Sequence, residues 1–497
     1  MSLFRKKDLA AMLAQAEDGE KGLKRTLGAG NLIALGVGAI IGAGLFVRTA
    51  AAAGQAAGPA VTISFIVAAI GCAFAGLCYA EFAAMIPISG SAYAYSYVTM
   101  GETVAWIIGW ALIMEYALGA ATVSIAWSEY LNKLLGGAIP YEWSHSPFES
   151  FTDTLGVTHQ GIMNAPALII LLLLTLLLIK GTQESAIVNG IIVFIKVAIV
   201  VLFIVIGWQF INPANHTPYL IPADQAPVVD AAGKEIANYS GVFKHGWGGV
   251  LGGAAIVFFA FIGFDAVSTA AQEAKNPKRD MPIGILGSLV VCTILYILFG
   301  HVLTGVANWK DFVDPLKGRE ASVAYAISTY MTGYGWLATS VTVAILAGFS
   351  SVILVMLMGQ SRVFYSMAND GLLPKVFSDL HPKYRTPYKS NWILFLFVGG
   401  FAAFVPGNVA GDLTSFGTLF AFVLVSLGIW ILRRKSPEME RPFKTPLVPL
   451  VPILGAIICL AMIYALDAQT LKVAAIWMVL GLVVYFIYGK KHSKLNK

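Results

Sequence analysis

One charged side chain, Lys196, lies inside the run VNGIIVFIKVAIVVLFIVIGW, from Val188 to Trp208, whose other residues are almost all apolar or small. Counted from Ala186 at 1.5 Å per residue, it sits about 15 Å into a helix, near the centre of a bilayer. Holding an ammonium there costs about 3 kcal/mol on insertion scales. The penalty falls on the charged form alone, which gives a proton reason to leave and return. A structural cation, paired with Glu115 or fixing helix packing, is the competing reading. Glycine points to a second kind of chemistry. ALGVGAIIGAGLFV gathers Gly36, Gly38, Gly42 and Gly44, and VFFAFIGFDAV centres on Gly263. A glycine in a helix interior costs roughly 1 kcal/mol relative to alanine, so both runs read as places where a helix opens. Close packing through small residues is the alternative. Backbone groups freed inside a membrane must find partners. The amides of Gly42, Ala43 and Gly44, with a helix dipole behind them, suit a carboxylate, and the carbonyls of Phe259, Ala260 and Ile262 suit an ammonium. Together they describe a receptor for an amino acid or a similar zwitterion.

The elements that must position these groups are membrane spans. The 497 residues are 58% hydrophobic and 12% charged, with a mean hydropathy of +0.75, far from the soluble norm. Runs of about 20 apolar residues predict twelve spans: 30–54, 59–86, 101–133, 163–180, 186–209, 247–271, 283–307, 336–367, 391–406, 411–432, 449–467 and 472–489. Placing both termini in the cytoplasm puts most of the 33 Lys and Arg on that side, among them Lys278, Arg279, Arg385 and Arg433. The net charge of +6 then needs no nucleic-acid partner. Five spans separate the two glycine breaks, so spans 1 and 6 enter from opposite faces, as the first members of two inverted repeats would. The division that follows is a cytoplasmic segment 1–28, a first repeat 29–209, a second 247–432, a final pair 449–489 and a cytoplasmic tail 490–497. Residues 1–28 lack a signal peptide and read as either an interfacial helix or a solvated tail.

Other functions find little support. Of seven histidines only His301 falls near a span interior, and no metal-ligand spacing occurs, so neither an enzyme site, a cofactor nor a metal is expected. Repeated filter rings of a channel are absent too. Cys72, Cys78, Cys292 and Cys459 all fall in spans and read as small packing residues rather than disulfide partners. YAYSY, from Tyr93 to Tyr97, reads as an interfacial belt in a short inner loop. In NPKRDMP, Asp280 is the expected helix cap and Pro282 the expected first-turn proline. Asp265 is expected to orient the inner half of span 6, and Glu81 and Arg362 to join a cytoplasmic gate network or a packing ion pair.

GVGAIIGAGLFV, FFAFIGFDAVSTAAQEAKNPKRDMPIGI and QSRVFYSMANDGLLP closely resemble signatures of the amino acid–polyamine–organocation transporter superfamily. LIMEYALG and the long span-6 run are most similar to bacterial members of its cationic amino acid transporter branch. The resemblance covers nearly the whole chain and implies an all-α membrane protein of twelve transmembrane helices, a LeuT-type 5+5 inverted repeat with two further helices at the carboxyl end. It implies carboxylate binding at Gly42, Ala43 and Gly44, with Ile40 and Ile41 supplying carbonyls beside them. Phe259, Ala260 and Ile262 match the ammonium site, and Phe259 the aromatic that closes over the substrate. Many relatives carry Ser or Thr in place of Ala43, and an apolar residue in place of Arg48, which here is expected to snorkel to the outer interface. Lys196 is similar to the lysine that stands where sodium-coupled relatives bind their ion. Gly38 and Ile41 match the ion's carbonyl ligands, and AGFSS matches its span-8 pattern, making Ser350 and Ser351 the expected acceptors for the Lys196 amine.

What the resemblance implies is a secondary active transporter in the cell membrane, importing L-amino acids by proton symport with alternating access. Exchange and sodium coupling are the alternatives. Glu115, in the middle of span 3, is the acid available for selectivity or for pairing. The expected partners are an amino acid, a proton and the lipid bilayer, with a small accessory membrane subunit left open.

Overall fold

The computed structural model describes residues 5–7, 27–42, 44–86, 91–152, 157–180, 183–229, 233, 235–271, 274–314, 322–384 and 386–496, with the backbone alone at 152, 183–189, 322, 408 and 496. Ala43 and the segment read as an interfacial helix or tail therefore lie outside the described residues, apart from 5–7 and 27–28.

Helix α1 (Ala29–Ile40) stops where Ile41 turns extended, at φ −74° and ψ 102°. The chain resumes as a π-helical turn, Gly44–Arg48, a short helix, Thr49–Ala52, and a second π turn, Ala53–Ala57. Next come α2 (Val61–Met85), α3 (Ser91–Thr99), and α4 (Glu102–Ile113), which runs through a π turn at Met114–Leu118 into α5 (Gly119–Leu134). Two helices follow, α6 (Ala165–Lys180) and α7 (Gln183–Gly207). The second broken element comprises α8 (Gly246–Val257), a 3-10 turn at Phe258–Phe261, and α9 (Ala266–Thr269). Beyond it lie α10 (Pro277–Val306), α11 (Ser322–Tyr330), α12 (Gly335–Asn369), α13 (Tyr388–Phe404), α14 (Gly407–Lys435), α15 (Leu450–Tyr464) and α16 (Ala468–Val484).

Among the described residues, eight helical stretches are long and apolar enough to cross a membrane, and α1, α6 and α15 are shorter apolar helices. Apolar side chains also face outward: Phe194 is 76% exposed, Leu396 71% and Ile476 68%, which suits lipid rather than water. Inside, α10 packs along α2 and α1, and α12 along α5, so the broken elements are enclosed by unbroken ones.

Three local expectations are corrected. Tyr93, Tyr95 and Tyr97 are not an interfacial belt, because they lie on α3 and each is at most 1% exposed. Tyr95 stacks on Phe82 at 5.2 Å. Helix α10 begins at Pro277, so the first-turn proline is Pro277 and Pro282 lies inside the helix. Asp280, the fourth residue of α10, reaches back to accept from the Asn276 amide at 3.1 Å, so it caps the turn from inside the helix while Asn276 holds the N-cap position. The all-helical reading also missed two small antiparallel hairpins in the loops, β1 (Ser150–Thr152) with β2 (Thr158–Gln160), and β3 (Val228–Val229) with β4 (Glu235–Ala237). The four cysteines are free and buried.

Candidate substrate and coupling site

The two helix breaks lie against each other. A Cβ built on Gly44 would run into the Cα and N of Ala260, so only glycine permits this approach. Gly42 faces Val352 of α12, and Gly263 adopts φ 112° with its α-carbon against the Ala39 carbonyl. A left-handed φ of this kind is routine for glycine alone, and it lets span 6 turn at the break. The structure thus brings Ile40, Ile41, Gly42 and Gly44 together with Phe259, Ala260 and Ile262.

Several of the exposed backbone groups already have internal partners. The Tyr296 hydroxyl of α10 lies 2.9 Å from the Ile40 carbonyl and 2.8 Å from the Ala260 carbonyl. One hydroxyl carries one proton, so it can donate fully to only one of them at a time. Ile262 donates its amide to the Phe259 carbonyl at 3.3 Å, and Leu45 donates to the Gly42 carbonyl at 3.1 Å. Each carbonyl has two lone pairs and retains capacity for a ligand. Tyr296 was missed in the sequence, where nothing sets it apart from other interior aromatics.

Lys196 projects from α7 and is 1% exposed. Its Nζ donates to the carbonyls of Gly38 at 2.7 Å and Ile41 at 2.9 Å, the last turn of α1 before the break. The stem of the lysine lies on Gly348 of α12, where a Cβ would collide with its Cδ. Ser350 instead donates its hydroxyl to its own helix, at Leu346, 2.9 Å away, and Ser351 is buried beside it. Among the described residues no ion pair joins Lys196 to Glu115. The Glu115 carboxyl, fully buried in the π turn between α4 and α5, is a neighbour of Asp265. Both oxygens of Glu115 and Oδ1 of Asp265 lack hydrogen-bond partners, while Oδ2 of Asp265 accepts from Tyr116 at 2.7 Å.

Two further charged residues are settled by their contacts. Arg48 does not snorkel to an interface: it is 9% exposed, ion-paired with Asp412 of α14, and its Cζ lies 5.8 Å from the Phe259 ring centroid. Glu81, on α2, is fully buried and binds Arg433 through two hydrogen bonds of 3.0 and 2.7 Å, with Arg441 at 3.3 Å and the Thr445 amide at 2.7 Å. Among the described residues no group of three His, Cys, Asp or Glu could hold a metal ion.

An apolar bundle in which two broken helices meet beside a buried cation defines a class, the membrane transporters that bind solute where helices unwind. Comparison with known proteins gives the family. Residues 27–488 match the amino acid permease family. The branched-chain amino acid permease BcaP of Bacillus subtilis is 42% identical over all of this chain and 99% of its own. The methylthioribose transporter of the same organism is 40% identical over the whole of both chains. The vacuolar cationic amino acid transporter 4 of Arabidopsis thaliana is 33% identical over 88% of this chain and 68% of its own. The chain belongs to the amino acid permease family, within the amino acid–polyamine–organocation superfamily, and is a multi-pass membrane transporter, not an enzyme.

Proposed function

We propose that the protein imports L-amino acids across the cell membrane by proton symport, with Lys196 as the proton-coupling group. In this reading twelve spans form a LeuT-type arrangement, residues 29–209 and 247–432 being the inverted repeats, with both termini cytoplasmic. Family membership, matching breaks in spans 1 and 6, and the bias of Lys and Arg support it. The substrate carboxylate meets the amides of Gly42, Ala43 and Gly44, its ammonium meets the carbonyls of Phe259, Ala260 and Ile262, and Phe259 closes over it.

The observation that carries the coupling is the pair of hydrogen bonds from Lys196 to Gly38 and Ile41. A charged donor makes bonds roughly twice as strong as a neutral one. Protonated, Lys196 clamps the unwound end of α1 and sets the amides of the break for substrate. Neutral, it loosens that clamp and lets the inner half of the element swing toward the cytoplasm. Sodium coupling is disfavoured because the ammonium already occupies those two carbonyls. The substrate class we favour is neutral amino acids, since Glu115, the acid in the middle of span 3, is fully buried as a neighbour of Asp265.

Uptake of labelled alanine, leucine and arginine into proteoliposomes tests this, under an inward proton gradient, a sodium gradient or neither. The wild type should accumulate the neutral pair with protons alone, and Lys196→Ala should lose accumulation. Sodium-driven uptake, or equal accumulation by both proteins, overturns the coupling.

A further inference from the structure

The end of the bundle that carries the two hairpins holds a cavity of about 1220 Å³, lined by Val47, His159 and Phe312 among others. The same end holds a pair of imidazoles that no step of the proposed cycle uses. His301, near the end of α10, meets two turns that follow α7, with the Trp208 ring at 5.3 Å and the His216 ring at 4.6 Å between centroids. The turn that carries His216 is well anchored. Asn212 caps it by accepting from the Ala214 amide at 3.1 Å, and the Asn212 amide and Asn215 Nδ2 both donate to the Gly305 carbonyl, at 3.0 and 2.8 Å. Gly305 makes room for the ring, since a Cβ there would stand 3.1 Å from His216 Cε1 and 2.9 Å from Ile211. The proton on His216 is also assigned. Its Nε2 lies 3.2 Å from the His301 carbonyl, which can only accept, so Nε2 carries the hydrogen and the neutral ring keeps its lone pair on Nδ1. Among the described residues that Nδ1 has no hydrogen-bond partner, and neither ring nitrogen of His301 has one. Metal-ligating histidines are oriented in this way, one N–H held by a carbonyl and the other nitrogen free. Two imidazoles that share one ion through bonds of about 2 Å have ring centres about 5 Å apart, close to the separation found here. Nitrogen donors suit zinc and its neighbours rather than magnesium or calcium.

We propose that His216 and His301 form a binding site for a divalent transition-metal ion of the zinc type, and that the bound ion is a brake on transport, the second half resting on the transport reading above. The two rings supply two ligands and water the others, as at an open site. The brake follows from what the two joined elements carry. His216 follows α7, whose Lys196 grips the carbonyls of Gly38 and Ile41. His301 lies on α10 beyond Tyr296, whose hydroxyl holds the Ile40 carbonyl. Both helices therefore grip the unwound end of α1. An ion that pins the turn after α7 to α10 keeps the two grips in one register, and the inner half of the element is slower to swing.

The test uses the full-length protein, freed of metal with EDTA, and zinc chloride as the probe. Calorimetric titration should find one zinc ion per chain in the wild type and none in His216→Gln or His301→Gln. His301→Cys exchanges the imidazole for another zinc ligand and should bind again, so that loss in the glutamine variants reports the ligand rather than the fold. His159→Gln, at the first hairpin, is the control and should bind as the wild type does. No binding by the wild type, or binding that survives both glutamine variants, overturns the site. In proteoliposomes, zinc in the medium should slow alanine uptake at least several-fold for the wild type and for His159→Gln, and EDTA should restore it. His301→Gln should not respond. Zinc that binds at the pair without slowing uptake overturns the brake. If wild-type vesicles take up no amino acid, the transport reading falls and the brake with it, while the titration still decides the site.

Discussion

Gly44 and Tyr296 show how narrowly the site is drawn. Gly44 touches the backbone of Ala260, which cannot rotate away as a side chain would, and Tyr296 holds the carbonyls of both breaks from a third helix. Gly44→Ala should therefore push the two breaks apart and cut the initial uptake rate by roughly 100-fold, the order expected when bound groups are misplaced by an ångström. Gly30, in α1, is the control, since a Cβ there meets nothing within 4 Å. Gly30→Ala should leave uptake intact and add up to about 1 kcal/mol to helix stability. Uptake rates of the two variants, normalised to protein in the membrane, check the contrast. Equal rates would mean that the close approach is incidental.

The elements depend on anchors far apart in sequence. Glu81 on α2 gathers Arg433 from the end of α14, and Arg441 and Thr445 from the segment leading to α15, so one carboxylate fixes three pieces of chain. Removing it leaves two guanidinium groups without a counter-charge, a change that typically costs about 3–5 kcal/mol for a buried pair. Glu81→Ala should lower the thermal midpoint of the purified protein by several degrees, and an unchanged midpoint would reduce the cluster to surface decoration. Such anchors mark the limit of what could be read from the chain alone. The breaks in spans 1 and 6 were legible because glycine carries a local backbone signal, and Lys196 because a lone charge stands out against apolar neighbours. Arg48 was legible as an oddity, but its partner Asp412 was not, since pairing over 364 residues leaves no local trace. YAYSY misled because a tyrosine cluster reads alike whether it meets lipid headgroups or fills a core. The π turn at Met114–Leu118 had no cue, although it is what carries Glu115 into the bundle.

Across the whole molecule, the two ends are closed differently. At the end where residues 5–7 meet residues 494–495, Arg5 donates to the Leu495 carbonyl at 2.8 Å and Lys7 pairs with Asp370 at 2.7 Å. There Glu102 accepts from Tyr97, Tyr485 and Ser493. The opposite end holds the large cavity, and one of its contacts is titratable. His216, after α7, places Nε2 3.2 Å from the His301 carbonyl and 3.3 Å from the Thr304 hydroxyl of α10, with Tyr219 beside its ring. Burial, and then the nearby His301 ring at 4.6 Å, hold its pKa below the ordinary histidine value. A base whose folded pKa is depressed contributes stability that is present above the unfolded pKa of about 6.5 and lost as pH falls through the lower folded value. The thermal midpoint should therefore hold steady above about pH 6.5 and decline below it, before most carboxylates begin to titrate near pH 4. His216→Gln keeps a polar side chain there without the titration, and should flatten the decline between about pH 6.5 and 5. Thermal unfolding of the two proteins across that range decides it. An identical slope would place the acid sensitivity elsewhere in the bundle, and a flattened one would mark the segment after α7 as the end that acid loosens first.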